Sequence, residues 1–494
     1  MSSVSRATGG AIIEHDTKTS APVTFESPAP GRWELETTHH GLRPLSPVIR
    51  EAYRRAFEAG TVELLERYGL PLARVQSKLV HGCCYVRPLG VGEREGSTPK
   101  APPPALVMKV LVRLHPTLRR RARTAKLAWQ ERRWRDEVDQ WFARDRSAQV
   151  ARNLALQAVE LTDLDDASLA DHVAEALAHF EESARRNLAS HGGDLMPVGD
   201  LLAHCEAWEI PPNEVAGLLT GSSPATVETA ELLRPVARAM VATAASANSL
   251  DSVDDVRALT PEAREAVDTW LELHMWRTVT SDDVDRPTLA EVPTLQLAAL
   301  LHAVDHLEVE ALDEATVRRR VPPDHRALFD DLLVEARYGH RQREDIRGLC
   351  WNWPGGLVRR ALLEAGRRLA DTGRLRDVGH AVELFPDELG RLLRGGPGPS
   401  AEVLAERAAQ RDLVEATPPP RTLGEPEAPP PMDALPPAMA RATAAIMASL
   451  EADVTPPEPG TDGRRGHLPA GVVPPSGSGS ARRRTEVERA WCTT

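Results

Sequence analysis

The sequence predicts a mainly α fold: a helical domain, a small N-terminal α+β subdomain before it, and disordered termini. Three observations carry this expectation. Beyond Pro116, apolar residues recur at helical spacing and strand signals almost vanish. Ahead of that point, two β-prone runs flank a Gly/Pro-rich stretch. At both ends the chain turns polar and proline-bearing; 494 residues include 41 prolines and are 41% hydrophobic.

Residues 1–30 are small and polar and are expected to be disordered. Residues 31–115 are expected to form the α+β subdomain. "SPVIREAYRRAFEAGTVELLERYG" (46–69) places Val48, Ala52, Ala56, Ala59, Val62 and Leu65 on one helical face, with Ser46-Pro47 as its start and Gly69 as its stop. "RVQSKLVHGCCYVRPL" and "ALVMKVLVRL" read as two or three strands, joined by a loop over 90–104.

Residues 116–416 are expected to form the helical domain. The run 117–160 carries Leu127, Trp134, Val138, Trp141 and Phe142 at helical spacing, and 162–191 opens on Asp/Ser cap candidates. Further helices are predicted near 196–206, 213–219, 224–247, 260–274, 293–303, 325–340 and 355–372. Breaks are predicted at Gly192-Gly193, Pro211-Pro212, Gly221 and Pro322-Pro323, and no fixed repeat period stands out. After Gly395 a short helical piece (401–416) precedes 417–494, read as a Pro/Gly/Arg-rich linker and disordered tail.

Sixty basic and 72 acidic residues give a net charge of −12, which argues against nucleic-acid or membrane partners. Five cysteines with no CxxC pair argue against a disulfide framework or a cysteine zinc site. The first twenty residues lack the apolar core of a signal peptide, and no 18-residue apolar run occurs; a cytoplasmic location is expected.

Three constellations invite chemistry. His172, His179 and His191, with Glu175 and Glu182, could share one helix face, but metal sites of this kind need matching pairs from a facing helix, and none is evident; no metal is expected. "LASHGG" (188–193) sets a histidine beside glycines, yet it stands where a helix should end. The third is the stretch Arg343–Leu375, which holds seven arginines. On a helical wheel Ala361, Leu362, Ala365 and Leu369 form the apolar stripe, whereas Arg360, Glu364, Arg367 and Arg368 fall on the solvent side. Arg359 lies at the edge of the stripe and needs a partner, either an internal carboxylate or a bound phosphate or carboxylate.

Several stretches, in this order, resemble the phosphoenolpyruvate-utilising phosphotransferases, the group that contains phosphoenolpyruvate synthase and rifampicin phosphotransferase. "WELETTHHGLRPLSPV" is similar to that group's tryptophan–acidic–histidine–proline segment, through Trp33, Glu36, His39 or His40, Pro44 and Pro47. "RRWRDEVDQW" and "GGDLMPVGDLLAHCEAWEIPPNEVAGLLTGSSP" resemble its central domain. "RExxR…RRALLEAGRRLADTGRL…AVELFPDEL" is similar to the approach to its swivelling domain, through Arg343, Glu344, Arg347, Arg359, Glu364, Gly366, Arg368 and Leu369. The resemblance covers roughly 31–420. It implies that His39, His40, Arg343, Glu344, Arg347 and Arg359 are substrate- or anion-binding candidates, and that ATP or phosphoenolpyruvate with magnesium takes part in the full reaction.

The group also uses an ATP-grasp domain and a phosphate-carrying histidine in a Gly-Gly-x-x-Ser/Thr-His setting. Neither signature occurs in this sequence. The expectation is therefore the central, substrate-side region of such an enzyme, without cofactors of its own, served by a small-molecule acceptor and by phosphohistidine and ATP-grasp domains in trans. The ending after residue 460 reads as a natural truncation or an out-of-frame end. A non-catalytic helical ligand-binding or protein-interaction protein is the alternative.

Overall fold

The structure, a computed structural model, describes residues 23–454 apart from 39–42, 99–101, 247–248, 280–282, 306, 308–311 and 428–430, and apart from the side chains of Thr226, Glu344, Asp453 and Val454. The expected disorder of the extreme ends falls on 1–22 and 455–494, outside the described residues.

The N-terminal part is built on a β-hairpin. Strand β1 (Trp33–Leu35) and helix α1 (Arg50–Arg67) precede β2 (Leu72–Val80) and β3 (Cys83–Gly90). His81 and Gly82 turn the hairpin with φ of 52° and 88°, the left-handed pair that a two-residue connection needs to match strand twist. β1 pairs with the free edge of β3, and β4 (Thr422–Leu423) pairs with β1, giving an antiparallel sheet of order β2-β3-β1-β4. Trp33, Tyr85 and Leu423 are buried together there.

The run 105–114, read as a strand, is instead helix α2 (Ala105–Leu114). A ten-residue apolar run has no period of its own to decide between the two states. Pro104 opens it, its Leu, Met, Lys and Arg residues tolerate helix well, and the next helix, α3 (Pro116–Gln130), follows at once. The expected helix over 117–160 is segmented: α3, α4 (Arg133–Gln140) and α5 (Arg146–Gln157), with Arg132 left-handed at φ 49° and a π-helical turn at Trp141–Asp145. Trp134, Val138 and Trp141 are buried as expected, whereas Leu127 is exposed.

Helix α6 (Asp166–Ala189) begins where Asp165 accepts the Ser168 N–H at 2.7 Å, a standard N-cap contact. Gly192 and Gly193, expected as a break, instead start α7 (Gly192–Ala207) after a two-residue turn at Ser190 and His191. Their small size is used for packing: a Cβ on Gly192 would lie 1.9 Å from the Tyr68 ring. The chain continues through α8 (Pro212–Leu219), α9 (Pro224–Ala242), α10 (Val253–Arg257), α11 (Pro261–His274), α12 (Pro293–Asp305), α13 (Glu314–Arg320) and α14 (Arg326–His340). Prolines sit in the first turn of α8, α9 and α11, where the missing N–H costs nothing. Then come α15 (Arg343–Arg347), a second π-helical turn (Gly348–Asn352), α16 (Trp353–Asp371), α17 (Pro386–Leu393) and α18 (Ala401–Glu415).

The main core lies between α1, α6 and α16. There Tyr53 and Phe180 meet Trp351 edge-on, with ring centroids 5.7 and 5.8 Å away. Burial of each such ring contributes about 2–3 kcal/mol before entropy is counted. Separate cores form among α9–α12 and among α7, α8 and α14.

Two expectations need correcting. Part of the segment read as linker and tail is structured: β4 closes the sheet, and α19 (Pro437–Val454) lies against α7 at Gly199, where a Cβ would fall 1.8 Å from the Ala445 carbonyl. Nor is most of the assigned wet face of α16 wet. Arg360 donates to the Gln157 and Val159 carbonyls, Arg368 donates to those of Leu161 and Leu164, and the Glu364 side chain is 11% exposed. The connection between α5 and α6 lies across this face, and its carbonyls are what the arginines bind. Arg367, 52% exposed, fits the original assignment.

Candidate functional site: a charged network on the 283–286 loop

The two ends of the resembling region converge on one loop. Glu36, just after β1, is buried and accepts the Tyr53 hydroxyl at 3.0 Å, which fixes the chain leaving the sheet. His39 and His40 lie outside the described residues. Beyond them Arg43 reaches Asp285 at 2.7 Å and Glu415 at 2.8 Å. The Ser46 amide donates to Asp283 at 2.6 Å. From the other side Arg359, on α16, forms a two-pronged pair with Glu291 at 2.7 and 2.8 Å and donates to the Val284 carbonyl at 2.9 Å. Its partner is thus an internal carboxylate. Glu291 also receives the N–H and hydroxyl of Thr288, so one carboxylate holds both the turn and the arginine.

Helix α18 completes the network. Arg411 bridges Asp285 at 2.6 Å and Glu383 at 2.7 Å, and Glu415 also receives Arg286 at 2.8 Å. Burial works against the Arg411 charge, but Glu383 and Asp285 outweigh it and hold its pKa above the usual value. Asp283 is only 4% exposed. Burial, and then the neighbouring Asp285 carboxylate, push its pKa up to about 7, against the Ser46 amide and Arg411. Arg43 Nε, Ser46 Oγ, Asp285 Oδ1 and Glu383 Oε2 are buried without a hydrogen-bond partner. The guanidiniums of Arg43, Arg286 and Arg411 stand against the carboxylates of Asp285, Glu383 and Glu415, with Asp283 beside them. Such crowding of buried charge with a displaced pKa is characteristic of functional sites, although internal ion networks also produce it.

Arg343 belongs to a second network, which shares no residue with the first. It pairs with Asp194 at 2.9 Å near the start of α7, and His340 Nδ1 lies 3.4 Å from the same carboxylate. Gln342 donates to the Ser190 carbonyl at 3.0 Å. Arg347 lies on the same short helix and is half-buried; the Glu344 side chain is outside the described residues. Of the sequence candidates, Arg359 therefore lies in the first network and Arg343 in the second. Asp283, Asp285, Glu383, Arg411 and Glu415 were missed. The acid-rich "DDVDRP" (282–287) was the available signal, but nothing in the sequence pairs it with α18.

Burial raises the Asp194 pKa, yet Arg343 and then the two nearby histidines outweigh it and bring the group down to about 2. A carboxyl whose folded pKa lies below its unfolded value near 3.9 stabilises the fold above that value and loses the contribution as pH falls toward 2. The difference corresponds to about 2–3 kcal/mol. Asp194→Asn is therefore expected to flatten the acid limb of the stability profile between pH 5 and pH 2. Parallel acid limbs for both proteins in urea titrations would contradict this.

Arg359→Ala leaves Glu291 and the Val284 carbonyl without their partner, whereas Arg360→Ala strands two neutral carbonyls. The first is expected to cost about 1 kcal/mol more, because a half-buried carboxylate left without its cation, held only by Thr288, is dearer than an unpaired carbonyl. Equal urea midpoints would contradict that ordering.

The histidine constellation does not assemble. His179 contacts Asn153 Oδ1 at 2.7 Å and is pushed down to about 4, by burial first and then by Arg152 and Arg186. His191 contacts Asn187 at 3.2 Å on another face. Among the described residues no three His, Cys, Asp or Glu side chains are grouped to hold a metal ion. Two surface clefts, of about 390 and 1040 Å³, lie between α6 and α17 and beside α10–α11, and no residue of either network lines them. Among the described residues no helix is long and apolar enough to cross a membrane. No family model matches the chain, and no curated protein matches it.

Proposed function

We propose that this chain is the central, substrate-side region of a phosphotransferase of the phosphoenolpyruvate synthase and rifampicin phosphotransferase type, and that it is not catalytically complete alone. One observation carries the proposal. Two of the stretches that carry the resemblance, 33–47 and 343–371, are some 300 residues apart, yet Arg43, Ser46 and Arg359 bring them together on the 283–286 loop. Arginines that can exchange an internal carboxylate for a phosphoryl oxygen suit the neighbourhood of a transferring group.

Magnesium, implied by the resemblance, does not fit these carboxylates as arranged. Asp285 and Glu383 are held by Arg411, and Asp283 by the amides of Ser46 and Val284. No chemical step is assigned to it.

Reconstitution tests the proposal. The chain is mixed with separately produced ATP-grasp and phosphohistidine domains of that enzyme group, with labelled ATP and candidate acceptors. Label is expected to reach an acceptor only when this chain is present, and Arg43→Ala is expected to reduce the transfer. An Arg43→Ala protein that stays folded and supports undiminished transfer would remove the network from the reaction. The non-catalytic binding reading is favoured by the pairing of Arg359 and Arg411 to internal carboxylates; ligand binding without any transfer in the reconstituted mixture would support it.

A further inference from the structure

Three arginines of the described residues are buried: Arg87, Arg121 and Arg277. Arg87 is paired with Glu93 and Glu427, and Arg121 with Glu66. Arg277, 8% exposed, has no carboxylate of the described residues within 4 Å; its Nε donates to the Leu273 carbonyl at 3.0 Å, and that is the whole of its side chain's hydrogen bonding among them. Its charge is compensated weakly. Asp345 attracts it and Arg146 repels it, but Asp345 is already engaged by the Trp141 indole at 2.7 Å and by Arg146 at 2.9 Å. Its Nη groups have no hydrogen-bond partner among the described residues and are not sealed from solvent, so this side chain keeps donors free for an arriving partner.

The surroundings are shaped for that group. The guanidinium lies over the Trp353 ring, 5.8 Å from its centroid. Gly348 opens the second π-helical turn, and a Cβ there would lie 2.9 Å from Arg277 Nη1, so the position admits the guanidinium because it has no side chain. The first π-helical turn begins at Trp141, whose indole binds Asp345. π-helical turns interrupt the regular ladder at a cost and recur at binding sites. The backbone around Arg277 is pinned as well: the Thr278 N–H donates to the Asn352 carbonyl and the Leu289 N–H to the Arg277 carbonyl, each at 3.2 Å. Trp353 in turn donates its indole N–H to Gln157, which lines the larger surface cleft.

We infer that Arg277 is the anchor of an oxyanion-binding site, taking a phosphate or carboxylate group of a small ligand against Trp353 and the Gly348 turn. The guanidinium would offer its Nη donors to two oxygens in the planar fork that such groups match. This inference does not rest on the phosphotransferase reading; it needs only a guanidinium with free Nη donors and no carboxylate partner among the described residues. Burial lowers the Arg277 pKa, to about 10, so the group still carries its charge at neutral pH.

The test uses the whole chain and three probes at constant ionic strength: inorganic phosphate, phosphoenolpyruvate and acetate, with chloride as control. Equilibrium dialysis is expected to show one site per chain for at least one probe, with a matching rise in melting temperature. Which probes bind separates phosphate from carboxylate recognition. Arg277→Met is expected to melt at the same temperature as the parent or higher and to lose the response to the anion. Gly348→Ala, which displaces the guanidinium without removing it, is expected to weaken binding at least tenfold. Failure of all three probes to bind the parent protein would overturn the inference. So would binding that survives in Arg277→Met, or a melting temperature that falls in Arg277→Met while Gly348→Ala binds normally.

Discussion

Arg411→Ala is expected to lower stability by about 3–5 kcal/mol, among the largest effects of any single side-chain truncation in this protein. Arg411 is the cation between Asp285 and Glu383, whose side chains are 6% and 1% exposed. Its removal leaves two buried carboxylates beside Asp283, with Arg43 as the remaining direct partner of Asp285. The mutant network responds by taking up protons, so the deficit should shrink as pH falls from 8 toward 5. Urea unfolding of parent and variant across that range measures it. A loss below about 1 kcal/mol at pH 8 would mean that the carboxylates are solvated or paired differently.

The second large effect is expected at Gly356. A Cβ there would fall 1.5 Å from the Trp276 carbonyl oxygen, a backbone atom that cannot swing aside. The same turn holds Arg277 and, through the Arg277 carbonyl and Leu289 N–H, the start of the segment that carries Glu291. Gly356→Ala must push α16 away from this turn, at a cost of about 3 kcal/mol, the upper end for overpacking. The expected signature is a drop in the urea midpoint together with weaker anchoring of Arg359, seen as faster hydrogen exchange at Val284. Unchanged stability would place the Trp276 carbonyl elsewhere.

Much of the architecture was legible in the sequence. The helical period of 162–191 and the wheel of 359–371 located α6 and α16, and all four residues of the predicted apolar stripe are buried. Failures came where tertiary context outweighs local pattern. Residues 105–114 are apolar enough for either state, and their neighbours decided for a helix. Arg360 and Arg368 sit on the polar arc of a wheel, yet that arc is covered by the α5–α6 connection, whose carbonyls they bind. A wheel reports which side is charged; it does not report what lies across from that side.

The candidate site was legible in outline. Arg359 was recognised as needing a partner, and it has one in Glu291. The meeting of Arg43, Asp283, Asp285, Glu383 and Arg411 was not legible, because it joins four segments through pairs 28, 126 and 242 residues apart, whose local patterns are those of ordinary loops and helix ends. Arg277 was invisible for a related reason: an unpaired buried cation is defined by what is missing around it.

The proposed incompleteness of the chain is tested most directly by incubating the purified protein with labelled phosphoenolpyruvate or ATP, then quenching in alkali, which preserves phosphohistidine. The expected result is no stoichiometric label on the protein, and label on a phosphohistidine domain when one is supplied. Stoichiometric phosphohistidine on this chain alone would contradict it.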